Sequence, residues 1–375
     1  MPGREFFGEE EMREVIDVMK RKVLFRYGFD KEREGIFKVS EFENEFKKFI
    51  GSKYALGVSS GSAALKVALE SLNLPKGKEI ITQCFTFVAT IEAIKEAGFK
   101  PVLCEIDETL NMNPSDLEKK INKNTVAVIP VHMMGSAARI EEILKIAKEK
   151  NLKVIEDNCQ STGASYKGKK LGTFADIGCF SFDYVKVMTA GEGGMVITDD
   201  ENLYKQAEWY HDHGHPHLHG VGRGDEKRMR DGFNFRMNEI QGAIGLAQLR
   251  KLPEIIKRQR ENKKKIKEGI KNIEGIEFRE ILDPDGDIAT FLTIYLPDKE
   301  KAEKFKKEIK KNGINPATLN YWHYTANVEM CGGEYPESEK ILGRSVSFEI
   351  RGIMSDEEIE KMLNEIEKVA KMCLF

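Results

Sequence analysis

The sequence predicts an α/β protein in which a large, mostly parallel sheet domain is followed by a small C-terminal α+β domain. Three observations carry this. Short apolar runs of strand length alternate with amphipathic helical stretches from about residue 54 to 157, the pattern of βα units. A long helical run, 234–270, interrupts that alternation. Beyond it, strand-like segments mix with helices without the alternating order, and 375 residues are enough for two cores. The expected division is 1–250, with an N-terminal arm over about 1–40, and 251–375.

Taken in order, 9–20 (EEEMREVIDVMK) and 41–49 (EFENEFKKF) carry apolar residues at helical spacing. The stretch between them has no clear period and reads as a segment wrapped over a neighbouring surface. KYALGVSSGSAALKVALESL is a strand, a Ser-Gly-Ser turn and a helix starting near Ser62. Its helix N-terminus offers N–H groups and hydroxyls to an anion, or is simply an N-capped helix. EIITQCF (79–85) is a strand, and TFVATIEAIKEAG a helix ending at Gly98. KPVLCEI and NTVAVIPVH are strands among helices over 113–122 and 137–150, and KVIEDNCQSTGASY is a further strand whose end releases Asp157. The 234–270 helix is expected to be interrupted at Pro253. In the C-terminal part IEFREI, ATFLTIYL and SVSFEI are strands, with helices over 299–312 and 355–371.

Ligands of parallel sheets gather at the carboxyl ends of strands, where Ser60 to Ser62, Phe87, His132 and Asp157 all fall. Phe87 suits the core or a stacking plate for a planar ligand. Asp157 at the sheet rim needs a hydrogen-bond or cationic partner, as does any poorly solvated carboxylate. Gln160 can reach the same ligand. His132 is a ligand contact or a satisfied core histidine.

The segment CFSFDYVKVMTAGEGG (179–194) carries one lysine, Lys186, between Val185 and Val187. An amine in an apolar pocket loses its proton readily and becomes a nucleophile toward a carbonyl cofactor. With Ser181 for a phosphate and glycines for close backbone approach, the segment reads as a pyridoxal-phosphate (PLP) site. The alternative is a surface lysine paired with Asp183.

Net charge is −3, from 59 basic and 62 acidic residues, so no electrostatic footprint for nucleic acid is expected. Mean hydropathy is −0.44, and no apolar run has the length of a membrane span. The charged start lacks a signal core, and six cysteines without CxxC spacing suit a reduced, cytoplasmic setting. WYHDHGHPHLH (209–219) holds five of the seven histidines. Gly214 and Pro216 make it a loop whose successive side chains diverge, so no metal site is expected. A mobile loop meeting a polar substrate is the preferred reading.

GVSSGSAAL, FTFVAT, IEDNCQSTGASYKGKKLGTFADIGCFSF, the lysine segment and NFRMNEIQGAIGLAQL occur in the order found in the DegT/StrS sugar aminotransferases. The resemblance covers 8–255 strongly and the remainder loosely. It implies the aspartate-aminotransferase fold (PLP fold type I) and a homodimer with shared active sites. By the same resemblance Lys186 is the Schiff-base lysine, and Gly61, Ser62 and Ser181 contact the phosphate. Phe87 stacks on the pyridine, Asp157 pairs with its nitrogen and Gln160 lies beside the ring hydroxyl. Asn234 is the asparagine given to the partner's phosphate site. One branch of the family has histidine for the lysine and removes a hydroxyl, so Lys186 implies transamination.

MPGREFFGEEE, FRYGFD, PVHMMGSAARI, YHDHGH and NYWHY further resemble transaminases that place an amine on carbon 8 of the octulosonate sugar Kdo. The stretch from His323 to Arg344 departs from that pattern. The expected reaction moves an amino group from glutamate to a keto or aldehyde sugar for cell-surface polysaccharide. The acceptor is an 8-oxo sugar acid or, alternatively, a nucleotide-linked 4-keto-6-deoxy sugar. His211, His213, His215 and His323 are the expected sugar contacts.

Overall fold

The computed structural model describes residues 2–218 and 220–374, so His219 lies outside it. Helices α1 (Pro2–Glu5) and α2 (Glu9–Arg21) lead into an arm, 22–37, that contains neither helix nor strand. Helix α3 (Lys38–Ile50) follows. The βα units are β1 (Tyr54–Val58), α4 (Gly61–Ser71), β2 (Glu79–Gln83), α5 (Ala89–Glu96), β3 (Lys100–Cys104), α6 (Pro114–Lys120), β4 (Thr125–Ile129), α7 (Ile140–Glu149) and β5 (Lys153–Asp157). A small hairpin, β6 (Ser165–Tyr166) and β7 (Lys169–Lys170), precedes β8 (Ile177–Ser181), β9 (Gly194–Thr198) and α8 (Glu201–His211).

The seven-stranded sheet has the order β1-β9-β8-β5-β4-β2-β3. Only β9 runs antiparallel to its neighbours. The central strands are buried on both faces, which is why they read as unbroken apolar runs. Helix starts follow side-chain capping: Ser60, Asn113, Asp200 and Asn238 each accept a backbone N–H of the first turn.

Helix α9 (Glu239–Ile270) runs unbroken through Pro253, contrary to the expected interruption. Its first half packs on α3 because Gly242 and Gly245 leave no side chain between them. A Cβ on Gly245 would stand 2.6 Å from the Phe42 ring. There Phe42, Phe46, Phe180 and Phe182 form one aromatic cluster with Leu246, Leu249 and Leu252. Ile266 and Ile270 of the same helix belong to the second core. The changeover between cores thus falls inside α9, between Ile256 and Ile266.

That second core joins β10 (Glu277–Phe278), β11 (Phe291–Tyr295), α10 (Lys299–Lys311), β12 (Ser345–Glu349) and α13 (Asp356–Leu374). Its three strands are antiparallel. Helices α11 (Thr325–Cys331) and α12 (Pro336–Arg344) carry the chain from α10 back to the sheet.

His132 is fully buried and structural. Its Nδ1 accepts from Ala138 N, so Nε2–H donates to Glu156 at 3.0 Å. Glu156 also accepts from the amides of Gly172, Phe174 and Ala175. Four donors on one carboxylate offset its burial and fix the loop before β8.

The histidine-rich stretch serves the arm. His211 is the last residue of α8 rather than part of a loop, and it is fully buried. Its Nδ1–H donates to the Glu208 carbonyl, and Nε2 accepts from Tyr27 Oη at 2.7 Å. Both ring nitrogens are thereby used, which corrects the expectation that His211 contacts a sugar. His217 stacks on Tyr27 with centroids 3.7 Å apart. The buried Asp212 carboxylate takes Arg223 through both oxygens, and Arg236 as well. These bonds staple arm, α8 and the 212–236 segment together. Among the described residues no group of three or more His, Cys, Asp or Glu is arranged to hold a metal ion.

Burial holds His211 down to about 3 and His217 to about 4, from an ordinary 6.5. A histidine depressed on folding stays neutral while the unfolded chain takes up a proton. The stability it contributes is therefore complete above pH 6.5 and is lost as the pH falls toward 4. Glu208, raised by burial to about 7, acts in the opposite direction between 7 and its ordinary 4.5. The histidine part is isolated by comparing wild type with His217→Gln in urea titrations from pH 7 to 4. The wild-type unfolding free energy should fall more steeply, by at most about 1.4 kcal/mol per pH unit for one proton. Parallel curves would contradict the assignment.

Candidate active site

The site forms where the carboxyl ends of β1, β5 and β8 meet the N-terminus of α4. Ser60 Oγ caps the helix by accepting from Ala63 N at 3.0 Å. The amides of Gly61 and Ser62, in the helix's first turn, precede any carbonyl they could bond within it. Gly61 is pressed against β8. A Cβ there would stand 2.6 Å from Ser181 Cβ, 2.9 Å from Ser181 Oγ and 3.1 Å from Cys159 Sγ. Gly194 makes an equally close approach, since its Cβ would lie 2.3 Å from the Ser60 carbonyl oxygen. The second glycine-rich turn thus holds the first turn in place. The result is a cradle of helix amides and the Ser181 hydroxyl, with the partial positive charge of a helix N-terminus.

Asp157 ends β5, buried. Its Oδ2 accepts from Thr90 Oγ1 at 2.8 Å and its Oδ1 from Cys159 N at 3.0 Å. Thr90 is itself bonded to Thr86 at 2.9 Å. Two donors occupy half of a carboxylate's roughly four acceptor positions, so the group can take a further N–H. Thr90 escaped the sequence reading, although its place one turn after Phe87 on α5 was a usable signal. Gln160 uses its Oε1 to accept from Met134 N at 3.1 Å, which leaves the amide N–H pair to donate.

Lys186 sits on an excursion between β8 and β9, closed by Phe182 pairing with Ala190 and Gly193. It is half-buried; Val187 is buried but Val185 is exposed, so the pocket is less apolar than the flanking valines suggest. The alternative pairing with Asp183 does not form. Asp183 Oδ1 accepts from Val185 N instead, and among the described residues Lys186 forms no ion pair. Its charge is felt at Cys159, Glu192 and His323. Burial raises the Cys159 thiol well above its usual range, Asp157 adds to this and Lys186 opposes it. Burial, then Lys186, lowers His323 to about 4.

The 320–324 segment closes one side. His323 O accepts from Thr86 N and Trp322 O from Val88 N, each at 2.9 Å, so this segment is zipped onto the turn carrying Phe87. The His323 ring lies 5.4 Å from the Phe87 ring, and its Nδ1 is buried with no hydrogen-bond partner. Phe87 is 42% exposed and Trp322 59%, an aromatic rim around the lysine.

Lys186, Gly61, Ser181, Asp157, Gln160, Phe87 and His323 are therefore brought together. Ser62 follows Gly61 at the start of α4 with an exposed side chain, and the other predicted residues are not joined to this group by contacts among the described residues. Asn234 is exposed, bridged to Asp212 through the backbone. His213 is exposed, and His215 is bound to Glu226 at 2.9 Å. The donor set fits PLP: a cradle for a dianion that a Cβ would fill, a buried carboxylate with acceptor capacity and an uncompensated amine. No helix of the described residues is long and apolar enough to cross a membrane.

Comparison with known proteins agrees with this geometry. GDP-perosamine synthase of Escherichia coli O157:H7 is 41% identical over 60% of either chain. The dTDP-3-amino-3,6-dideoxy-α-D-galactopyranose transaminase of Aneurinibacillus thermoaerophilus is 31% identical over 88% of this chain and 89% of its own. The structure of Helicobacter pylori PseC, an aminotransferase of pseudaminic acid biosynthesis, superposes with a TM-score of 0.87 at 25% identity, covering 98% of this chain and 97% of that one. Residues 7–367 match a single family description, and the chain belongs to the DegT/DnrJ/EryC1/StrS aminotransferase family, whose members are PLP enzymes.

Proposed function

We propose that this chain transfers an amino group from glutamate to the carbonyl of a keto or aldehyde sugar destined for cell-surface polysaccharide, in the cytoplasm. The observation that carries the reading is the Gly61–Ser181 cradle beside the Thr90-bonded Asp157, with Lys186, which forms no ion pair among the described residues, close enough to act on the Cys159 thiol packed against Gly61. When bound, PLP supplies an electron-withdrawing ring that stabilises negative charge on a substrate carbon. The rest is done by side chains. The amide of Gly61 and the hydroxyls of Ser62 and Ser181 would hold the phosphate. Asp157 would accept the N–H of the protonated ring nitrogen, Gln160 would donate to the ring oxygen and Phe87 would offer its face to the ring. Lys186 Nζ would take the proton from the carbon that carries the amine and deliver it to the carbon that receives the amine, acting as general base and then acid.

His323 stays neutral above about pH 4, so its free Nδ1 offers the substrate a hydrogen bond without charge. Of the loop histidines, His213 is exposed and is assigned to the sugar, while His215 can offer it only Nε2 because Nδ1 is held by Glu226.

Two acceptors are supported by different observations. The likeness of the N-terminal, YHDHGH and NYWHY stretches to Kdo transaminases favours an 8-oxo octulosonate. The names of the GDP- and dTDP-sugar relatives favour a nucleotide-linked 4-keto-6-deoxy sugar.

The working unit is a homodimer in which Asn234 completes the partner's phosphate site. Asn234 is exposed beside the exposed Phe233, and α2 turns Met12, Ile16 and Met19 outward at one-turn spacing. Such an apolar stripe suits burial against a second copy.

Adding glutamate to the PLP-loaded protein should replace the visible absorbance band with the near-ultraviolet band of pyridoxamine phosphate. Lys186→Ala should lack the first band and lose at least ~10²-fold in rate. The two oxo-sugars, added next, should differ in restoring the visible band, and the one that restores it is the acceptor class. A protein that binds PLP but ignores glutamate points to a different donor or to dehydration.

Shared sites make a second expectation. Lys186→Ala and Asn234→Ala, each inactive alone, should regain about a quarter of wild-type activity when co-expressed, since half the dimers are mixed and each mixed dimer has one intact site. No recovery would refute the sharing.

A further inference from the structure

Residues 2–6 lie across the back of the Lys186 excursion and touch it at several points. Gly3 N donates to the Lys186 carbonyl oxygen at 3.1 Å. Gly3 is buried, and a Cβ there would stand 2.9 Å from both Met188 Cα and Thr189 N. Both neighbours are backbone and cannot swing aside, so only glycine allows the approach. Arg4 donates to Tyr184 Oη at 2.7 Å, with its guanidinium carbon 5.4 Å from that ring's centre. Tyr184 stands two residues before Lys186.

The other side of the same segment grips α9 and the small domain. The Phe6 carbonyl accepts from Lys251 Nζ at 2.9 Å, and a Cβ on Gly352 would lie 3.0 Å from the Phe6 ring. Glu5 faces Arg351 at 3.7 Å. One step further, buried Gln248 links the lysine excursion to α2: its Oε1 accepts from Thr189 N at 3.4 Å, and its Nε2 donates to Glu11 at 2.8 Å.

A lysine on a turn of otherwise local bonds needs such a backing. Its own side contributes Lys186 N to Asp183 O at 3.0 Å and Val185 N to Asp183 Oδ1 at 3.0 Å, both within four residues. Local turns of this kind open at low cost unless distant elements bear on them.

We propose that residues 2–6 are a positioning brace, in which Gly3 fixes the Lys186 backbone and Arg4 the turn before it, so that the amine is held toward the Gly61–Ser181 cradle. The proposal rests on the reading of Lys186 as the PLP-bearing residue. Gly3 and Arg4 touch neither substrate nor cofactor and act through Lys186 alone.

The test uses PLP-loaded wild type, Gly3→Val, Arg4→Ala and Arg4→Lys. Three readouts are taken: the pH midpoint of the visible band, amide hydrogen exchange over 183–190, and kcat against KM for glutamate. Gly3→Val should raise exchange over 183–190 by about tenfold and move the band's midpoint by about half a unit, with the thermal unfolding midpoint unchanged. It should lower kcat more than it raises KM. Arg4→Ala should move the same quantities less, and Arg4→Lys, which keeps a donor for Tyr184, should restore them. Wild-type exchange and midpoint in both Gly3→Val and Arg4→Ala would overturn the brace. Should Gly3→Val not fold, Arg4→Ala decides on the same criteria. Lys186→Ala is run beside them. If it keeps the visible band, the reading of Lys186 fails instead, whatever the brace variants do.

Discussion

The close packing of the α4 N-terminus on the end of β8 is the constraint from which the site follows. Two glycines make it possible, Gly61 against Ser181 and Gly194 against Ser60, and any side chain at either position would occupy space already held by backbone or Cβ atoms. With those elements in contact, helix amides of the first turn, the Ser181 hydroxyl and the rim of β5 face one small volume. The excursion that bears Lys186 leaves β8 one residue after Ser181 and returns at Gly194, so the same contact sets where the lysine loop starts and ends. Sheet order does the rest. β5 lies beside β8, which puts Asp157 next to the cradle without any further device.

Three buried carboxylates near this frame solve the cost of desolvation in different ways, and the difference separates architecture from chemistry. Glu156 is saturated by three amides and His132, which leaves nothing for a ligand. Asp212 is neutralised by Arg223 and Arg236, which hold it well below the usual carboxylate range despite its burial. Asp157 has two uncharged donors and no cation among the described residues. A carboxylate buried with spare acceptor capacity and no positive partner is the one prepared to receive a charged group from outside.

The lysine and the histidines show how far a linear reading reaches. Ser181, Gly61 and Asp157 were legible as candidates because βα alternation sends each to a strand end or helix start, and Lys186 as the one lysine of a glycine-rich segment. The histidine run was not. Five histidines in eleven positions suggested a substrate loop, yet His211 lies inside α8 and serves Tyr27, and His217 stacks on the same ring. Tyr27 comes from an arm almost two hundred residues earlier, and no local pattern announces which loop such an aperiodic arm will meet. Pro253 misled for a related reason. Proline costs a helix one hydrogen bond, and the apolar contacts that α9 makes with both cores outweigh that loss.

By itself, then, the sequence determined the α/β alternation, the strand ends that border the candidate site, the candidate lysine with its glycine-rich surroundings, and the family. All of these are local patterns of period, turn chemistry and motif order. Only the tertiary structure decided that Thr90 supports Asp157, that Gln248 joins the lysine excursion to Glu11, that Gly3 seats the Lys186 backbone, and that the histidines secure an arm. Each of these joins residues far apart in the chain, or turns on whether a hydrogen-bonding capacity is already filled. Partners of that kind follow from strand order and helix packing, which a one-dimensional pattern does not contain.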